Sequence, residues 1–568
     1  MTWRGRHIYL IGLPGAGKSS IGRGIAALLQ KSGYEFVDLD EEIVRSSGKT
    51  IADIFTSEGE ERFREIETNQ LLQFSQKHFD QQPLVIATGG GTPLRAINRS
   101  IMRGSGIIVW VDVTVRQAAK NVMASLLGGE TRPLLRSSNV EELTEKLRKL
   151  LEERLHFYEQ ATMHFVTRSP HGDERTPPEL AQQLLNALEQ MSRSIRLRPR
   201  FETFIAHSGM GNYPVSIGSG IAASELGATI RDMNVQRAVA ITDENISKIY
   251  AQKFFQRITA DYKGALQISQ IVLAPGESSK DHDTLFDILD SFINLDLSRK
   301  TDVVITLGGG VVSDIGGLAA SLYKRGLPLI HVPTTLIGQC DAAIGGKTAM
   351  DYSGHKNYIG SFYAPKAVLI DPLFLKSLPK RELNAGLAEI VKYALIGSPV
   401  LWTKISKSLR RLLRGYDIGI EIIIRDAVQE KLRYIKDDEF EQKKGVRELL
   451  NFGHTFAHAF ETTTNYDQLL HGEAVALGMR AASWLSMELG LLDEDEWRQI
   501  EIVLGRLPIP VTPEFSADAI ITAMRKDKKH QAENHRLVLL EGIGKAIIQE
   551  KVDEKAIRKA IDFVLSVI

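Results

Sequence analysis

Apolar and polar positions divide this chain into two stretches of strand-and-helix alternation followed by one of helical spacing alone. The first begins at once: His7 to Ile11 is an apolar run of strand length, Gly12 to Ser19 is a glycine-rich loop, and Ser20 to Lys31 has helical spacing. Glu35 to Val37, Leu84 to Ala87 and Ile107 to Val111 are further strand-like runs separated by helical stretches, the pattern of a mainly parallel sheet. The alternation stops near residue 190. Ser169 to Pro178 and Arg193 to Arg200 flank one short amphipathic helix, and the second segment is the better linker.

Strand candidates resume at Ala238 to Thr242, Gln270 to Leu273, Val303 to Leu307 and Leu329 to Val332. From Pro379 the apolar spacing is helical, with few strand signals before Arg536 to Leu540. The expected organisation is an α/β domain over residues 1–190, a linker over 191–200, a second α/β part over 201–378 and a mainly helical part over 379–568. There is no short-period repeat or low-complexity tract. The two α/β regions do not read as duplicates, because only the first carries a phosphate loop.

With 568 residues, the chain is long enough for more than one function. Acidic and basic residues balance at 70 each, so no global field draws in nucleic acid or an anionic membrane, and small-molecule partners are expected. Apolar content of 43% is that of ordinary globular domains, and no apolar run reaches bilayer-spanning length. A single cysteine, Cys340, excludes an internal disulfide and a cysteine-built metal site. With an apolar strand pattern at the N-terminus and no secretory pattern, a cytoplasmic protein is expected.

Gly12-Leu-Pro-Gly15-Ala-Gly17-Lys18-Ser19 fits the phosphate-loop pattern and stands between a strand and a helix. Its backbone amides would wrap phosphate, its lysine would reach the outer phosphates, and its hydroxyl would bind Mg²⁺. Asp38-Leu39-Asp40 ends the second strand, Phe63-Arg64 follows Gly59-Glu60, Gly89-Gly90-Gly91 ends the third strand, and Arg132-Pro133-Leu134-Leu135 precedes a helix holding Arg154. Taken singly, these are helix caps, turns and solvated cations. Strand ends are nonetheless where open α/β sheets bind ligands.

In that order, including "IADIFTSEGEERFREIE" and "RPLL", the motifs make residues 5 to 170 resemble shikimate kinases. The resemblance implies ATP on Gly15, Gly17, Lys18, Ser19 and Ser20 under a lid residue, Arg132. It implies Mg²⁺ beside Ser19 and Asp38, and shikimate held by Asp40, Gly90, Arg64 and Arg154. A carboxylate near the attacking hydroxyl and two arginines for a carboxylate substrate make a coherent site. Another small-metabolite kinase of this loop type is the alternative, and it would need neither arginine.

In the second half, Gly308-Gly309-Gly310 lies between a strand and a helix, a weak dinucleotide signal by itself. Asp243 on a strand end and the loop Pro275-Gly276-Glu277-Ser-Ser-Lys280 add polar groups. Glu389 and Lys392 at i and i+3, and His454 and His458 at i and i+4, each share a helix face, and His471-Gly-Glu473 supplies a third histidine. One carboxylate with two or three imidazoles suits Zn²⁺ with an open position. Spacing alone does not choose between His454 and His458.

The strings "LGGGVVSDIGGLAA", "HVPTTLIGQCDAAIGGKTAMDYSGHKNYIGSFYAP", "LPKRELNAGLAEIVKYALI", "LLNFGHTFAHAFE", "LLHGEAVALGM" and "MRKDKKH" make residues 200 to 568 resemble 3-dehydroquinate synthase. The resemblance implies a Rossmann-like α/β NAD-binding part and a mainly helical metal- and substrate-binding part. It implies Zn²⁺, or another divalent ion such as Co²⁺, on Glu389, His454 and His471. NAD would lie near Asp243, Glu277, Lys280, Gly309, Gly310, Asp314, Thr334, Thr335, Lys347 and Lys356. Substrate contacts fall on Arg325, Asp341, Lys347, Lys356, Asn357, Lys392, Arg447, Asn451, His458 and Lys526, with Lys347, Lys392, His458, Arg447 and Asn451 placed in the catalytic group, as is Asp40 in the kinase half.

Six cations in that set suit a phosphorylated sugar acid, here 3-deoxy-D-arabino-heptulosonate 7-phosphate. One departure is local: the family's glutamate four residues before the arginine is Lys443 here, and Glu441 lies two residues earlier. The chain is thus expected to be bifunctional, with a homodimer through the synthase part as a further expectation. A related sugar-phosphate cyclase, a net redox enzyme and a non-catalytic nucleotide-binding scaffold are the competing classes.

Overall fold

The computed structural model describes residues 3, 5–77, 82–128, 135, 139–168, 175–194, 199–262, 266–441, 445–464, 468–509, 515–526 and 535–568. The chain divides into two compact units, Met1–Phe204 and Ile205–Ile568.

In the first unit, β1 (His7–Ile11), β2 (Glu35–Asp38), β3 (Leu84–Ala87), β4 (Gly106–Asp112) and β5 (Met163–Val166) form a parallel sheet in the order β2-β3-β1-β4-β5. The reason β1 is apolar throughout is that both its faces are covered. Ile8 and Leu10 pack with Ile21, Ile25, Leu184 and Leu188 on one side, while Tyr9 and Ile11 pack with Leu39, Ile43, Ile86 and Tyr158 on the other. Because β1 is flanked by β3 and β4, the strand order switches there, the place where such sheets open a crevice at their carboxyl ends. The phosphate loop, Asp38 and the Gly89–Gly91 turn all follow those ends.

The strand β6 (Glu202–Ala206) carries the chain across the division between units. It opens a seven-stranded sheet with β7 (Tyr213–Ile217), β8 (Arg237–Asp243), β9 (Gln267–Leu273), β10 (Asp302–Gly308), β11 (Leu329–Pro333) and, beyond a hairpin, β14 (Ala367–Ile370). The order is β6-β7-β14-β11-β10-β8-β9, and the pairs from β7 to β9 are parallel. Val303, Ile305 and Leu307 of β10 face one core, and Val304 faces the other, so this strand too reads as an unbroken apolar run. The hairpin comprises β12 (Lys347–Tyr352) and β13 (His355–Phe362), with an irregularity between Met350 and Tyr352. Its polar and glycine-bearing strands give no clean period of two, which is why the sequence pattern does not expose them.

After β14 the described residues of the second unit are helical apart from loops and the antiparallel pair β15 (His535–Gly542) and β16 (Lys545–Val552). In the helix Lys380–Gly397 every residue from Leu383 to Ile396 is buried. A helix covered on all sides is the centre of its subdomain, and it delivers Glu389 and Lys392 into the interior. Among the described residues no helix is long and apolar enough to cross a membrane.

Candidate active sites

In the first unit the phosphate loop leads from β1 into the helix Lys18–Leu28. Gly15 has φ of 79°, and a side chain there would lie 2.4 Å from the Ala118 carbonyl, so this position admits glycine for both reasons. Asn121 Nδ2 donates to the Gly15 carbonyl at 2.8 Å, tying the loop to the helix Val115–Leu127. Lys18 Nζ donates to the carbonyls of Gly12 and Leu13 at 3.0 and 2.9 Å, which holds the ammonium over the loop. Ser19 Oγ donates to Asp38 Oδ2 at 2.5 Å, so the two expected Mg²⁺-side groups already touch. The other Asp38 oxygen caps the helix Leu39–Ser47 through the amides of Asp40 and Glu41. Ser20 is exposed, and Arg132 lies outside the described residues.

Three glycines mark the acid pocket. A side chain at Gly89 would stand 3.2 Å from Asp40 Oδ1, one at Gly90 3.2 Å from Arg154 Nη1, and one at Gly91 2.5 Å from Arg64 Nη2. Asp40, Arg64 and Arg154 therefore surround a single turn, although they lie far apart in sequence. Arg64 is braced by Glu67 at 3.2 Å and Glu60 at 3.1 Å. Glu67 is fully buried, its pKa is raised by burial, and its Oε1 accepts from Thr92 Oγ1 at 2.6 Å. Buried Arg154 forms no ion pair among the described residues, and it sits beside Tyr158, whose hydroxyl donates to the Gly90 carbonyl at 2.7 Å. A buried guanidinium without a carboxylate is a ready partner for an anionic ligand. Sequence reasoning missed Glu67; its i+3 spacing from Arg64 was the available signal.

In the second unit Glu389, His454 and His471 place one ligand atom each within 4.8 Å of one another. His454 Nε2 and His471 Nε2 stand 3.6 and 3.3 Å from Glu389 Oε1. Behind them His454 Nδ1 meets the Phe452 carbonyl at 3.2 Å, and His471 Nδ1 meets Glu461 Oε1 at 3.4 Å. Each imidazole thus has its far nitrogen engaged and its near nitrogen turned inward, the arrangement of metal-binding histidines. Lys392 Nζ lies 2.5 Å from Glu389 Oε2, yet neither Glu389 oxygen receives a hydrogen bond of good geometry from a described residue.

Burial opposes the Glu389 charge, but Lys392 and the imidazoles hold its carboxyl well below the usual carboxylate range. Burial and Lys392 push His454 down to about 3. For His471 burial is outweighed by the two carboxylates, which raise it to about 10. One buried carboxylate facing two oriented imidazoles fits a divalent cation. His458 is exposed, its ring centroid 5.8 Å from that of His454, and it stands outside the three-residue cluster. Glu473 is engaged elsewhere, bound by Arg381 at 2.7 Å and capping the helix His471–Glu488 through the Leu470 amide.

Of the expected cofactor residues, Asp243, the Glu277–Lys280 loop, Gly309 and Gly310, and Thr334 and Thr335 stand at or just beyond the carboxyl ends of β8, β9, β10 and β11 in turn, while Lys347 and Lys356 lie on the hairpin. Lys280 Nζ donates to Asp314 Oδ2 at 2.6 Å and to Asn357 Oδ1, with Glu277 at 3.9 Å. A side chain at Gly309 would lie 2.9 Å from Thr335 Cγ2, and Gly310 continues the turn beside Ala342. Thr334 Oγ1 and Ser313 Oγ are buried without a hydrogen-bond partner among the described residues. Such a glycine cradle with orphaned hydroxyls fits a dinucleotide. Asp243 caps the short helix Glu244–Ile246, accepting from Asn245 and Ile246.

Around the centre lie the expected anion-binding groups. Glu441 Oε1 is 2.5 Å from Lys347 Nζ and 3.5 Å from Arg447 Nε, and the Arg447 guanidinium also donates to the Glu439 carbonyl. Asp341 accepts from Tyr393 Oη at 2.5 Å and pairs with Lys431, whose ammonium also reaches the Asp341 carbonyl at 2.6 Å. Burial opposes the charge of Asp341, but Lys431 and Lys392 hold its carboxyl well below the usual range. Lys431 is buried in the helix Ile420–Asp437 and was not singled out from sequence, because a lysine on an amphipathic helix reads as solvated. Lys356 reaches Glu461 at 3.4 Å, and half-buried Asn451 ends the short helix Arg447–Asn451. Arg325 lies on the turn before β11 with φ of 63° and makes no ion pair among the described residues. Lys526 ends the helix Ala517–Lys526, and Lys443 lies outside the described residues.

Residues 14–189 match the shikimate kinase family, residues 270–385 the 3-dehydroquinate synthase N-terminal family, and residues 386–530 the 3-dehydroquinate synthase C-terminal family. The 3-dehydroquinate synthase of Methylococcus capsulatus is 36% identical over 363 residues, 64% of this chain and 99% of that protein. That of Nitrosospira multiformis is 39% identical over 342 residues, 60% of this chain and 91% of that protein. A solved structure of 2-epi-5-epi-valiolone synthase from Streptomyces hygroscopicus, with NAD⁺ and Zn²⁺ bound, is 30% identical, covers 64% of this chain and 99% of its own, and gives a TM-score of 0.57.

Proposed function

The chain belongs to the 3-dehydroquinate synthase family in its larger unit and to the shikimate kinase family in its smaller one, and on that premise we propose how its residues divide the two reactions. It is a bifunctional enzyme. One activity phosphorylates shikimate from ATP, and the other cyclises 3-deoxy-D-arabino-heptulosonate 7-phosphate to 3-dehydroquinate with release of phosphate. The cofactors are ATP with Mg²⁺ in the kinase, and NAD⁺ with Zn²⁺ or Co²⁺ in the synthase.

In the kinase, Lys18 would leave its loop carbonyls for the transferring phosphoryl group, and Ser19 and Asp38 would hold Mg²⁺. Arg154, and Arg64 braced by Glu67, fork onto the shikimate carboxylate, and Asp40 orients the attacking hydroxyl. In the synthase, Glu389, His454 and His471 would hold the ion, and Asp243, Glu277, Lys280, the Gly309–Gly310 turn, Asp314, Thr334 and Thr335 would hold NAD⁺. When bound, these groups supply reversible hydride acceptance and polarisation of a ring hydroxyl, with no net redox change.

The remaining work falls to the chain. Lys347, Lys356, Asn357, Lys392, Arg447 and Asn451 would neutralise and orient phosphate and carboxylate, Lys431 and Asp341 would fix the sugar, and Glu441 and His458 would move protons. A cytoplasmic location and a homodimer through the synthase unit, with Arg325 and Lys526 as substrate contacts, belong to the same proposal. What carries the synthase reading is the Glu389 carboxylate, buried between two inward-facing imidazoles without a well-formed hydrogen bond among the described residues. Phosphate release from the heptulosonate substrate, with the carbocycle identified by NMR, tests it alongside ATP-dependent phosphorylation of shikimate. Lys18→Met should abolish only the second reaction. A chain that turns over neither substrate, or that accumulates NADH with the first, would defeat the reading.

A further inference from the structure

The two histidines of the metal cluster are steadied by different means. His454 leans on a backbone carbonyl, Phe452 O at 3.2 Å, which no side-chain replacement removes. His471 leans on a side chain, Glu461, through Nδ1 and Oε1 at 3.4 Å. Glu461 is 1% exposed and lies in the same helix as His454, seven positions on and therefore on the same face. A carboxylate at that depth is costly unless its charge is used. Two groups meet it: the His471 imidazole through Nδ1, and the Lys356 ammonium, whose Nζ lies 3.4 Å from the same Oε1 atom.

Lys356 is the second residue of β13, and its neighbour Asn357 faces the other cluster. Asn357 Oδ1 accepts from Lys280, its amide donates to Asp351 Oδ1 at 2.8 Å, and the Asp351 amide donates back to the Lys280 carbonyl at 2.7 Å. Lys280 in turn holds Asp314 in the first turns of the helix behind the glycine cradle. Consecutive residues of one strand thus touch the loop proposed for NAD⁺ and the carboxylate that orients a proposed metal ligand.

We propose that Glu461 is a positioning residue for the metal centre, and that through Lys356 it couples metal affinity to occupancy of the cofactor loop. The inference rests on reading Glu389, His454 and His471 as metal ligands. Glu461 fixes the His471 ring so that Nε2 is turned toward Glu389, where the ion would be held. A dinucleotide that orders Lys280, Asp314 and Asn357 also orders Lys356 against Glu461, so less freedom remains to be lost when the metal enters. Linkage makes the effect reciprocal.

The test is Zn²⁺ affinity of the full chain, measured by competition with a chromophoric chelator, with and without NAD⁺. Loss of an outer-shell partner typically weakens metal binding about 10- to 100-fold, which is the loss expected for Glu461→Ala. Glu461→Gln keeps an acceptor for Nδ1–H and should recover most of the affinity. In the unsubstituted chain NAD⁺ should tighten Zn²⁺ by about fivefold or more, the lower end of ordinary coupling, and the ratio should fall to one in Glu461→Ala and Lys356→Met. Thermal unfolding and far-ultraviolet circular dichroism certify that each variant is folded. Zn²⁺ affinity in folded Glu461→Ala within threefold of the parent would overturn the positioning role, and a surviving NAD⁺ ratio in Lys356→Met would overturn the coupling. Failure of the parent chain to bind Zn²⁺ would overturn the metal reading itself together with this inference.

Discussion

Glu441 sets its carboxylate 2.5 Å from the Lys347 ammonium, from a backbone position with φ of 55° that side-chain-bearing residues seldom adopt. The same oxygen lies 3.5 Å from Arg447 Nε. Position 443, where the resemblance leads one to expect a glutamate, is a lysine, and Glu441, two residues upstream, places a carboxylate beside the arginine. If Glu441 accepts or relays a proton, Glu441→Ala should lower synthase kcat by at least about 100-fold. Glu441→Gln, which keeps the shape but not the basicity, should be nearly as poor. Shikimate phosphorylation by the same preparation should be unchanged. Near-parental kcat in the glutamine variant would leave Glu441 only an ion-pair partner.

The kinase pocket separates two cations by what holds them at rest. Arg64 is engaged by Glu67 and Glu60, whereas buried Arg154 has no carboxylate partner among the described residues. A charged hydrogen bond to a ligand contributes about 1.5 to 3 kcal/mol, so Arg154→Ala should raise the shikimate KM roughly 10- to 100-fold. The ATP KM should hardly move. Equal rises for both substrates would show that the variant has lost the lid or the fold rather than a carboxylate contact.

How much of this was legible in the sequence differs by element. β1, β3, β8, β10 and β11 were legible because strands buried on both faces are continuous apolar runs bounded by glycine or charge. The hairpin β12–β13 was not, since Lys347, Lys356 and Asn357 point its composition toward chemistry rather than burial. The choice between His454 and His458 was beyond helix geometry, because both share one face; only the approach of Glu389 from another helix separates them. Glu67, Lys431 and Glu461 escaped notice for a common reason. A lone charged residue on a helix has the same local pattern whether it meets water or a buried partner, and the partner is supplied by tertiary contact.

His331 gives the synthase unit a calculable response to acid. It is fully enclosed in β11, pairs through Nδ1 with Thr306 Oγ1 at 2.6 Å, and burial pushes its pKa down to about 4. Between that value and the ordinary 6.5 the unfolded chain binds a proton that the folded chain refuses. Stability from this group is therefore complete above about pH 6.5 and is lost as pH falls toward 4, by roughly 3 kcal/mol in all. Chemical denaturation at pH 7.5 and pH 5 should show His331→Gln losing less stability over that interval than the parent, even if it starts lower. Identical losses would mean that His331 is already charged in the folded protein.

The two histidines of one helix face make the sharpest division. His454 turns Nε2 toward Glu389 at 3.6 Å with its other nitrogen on a carbonyl, while His458 is exposed one turn later and outside the cluster. A three-ligand zinc site that loses one protein bond binds weakly, because the remaining two cannot complete the geometry that leaves one position open. His454→Ala should therefore emerge from gel filtration with little metal. His458→Ala should keep its metal at parental stoichiometry and bind NAD⁺, yet lose roughly 100-fold or more in phosphate release if it transfers a proton. Metal analysis and turnover on the same two samples decide between them. Retention of metal in His454→Ala with loss in His458→Ala would reverse the ligand assignment and would require the helix to rotate its other histidine toward Glu389.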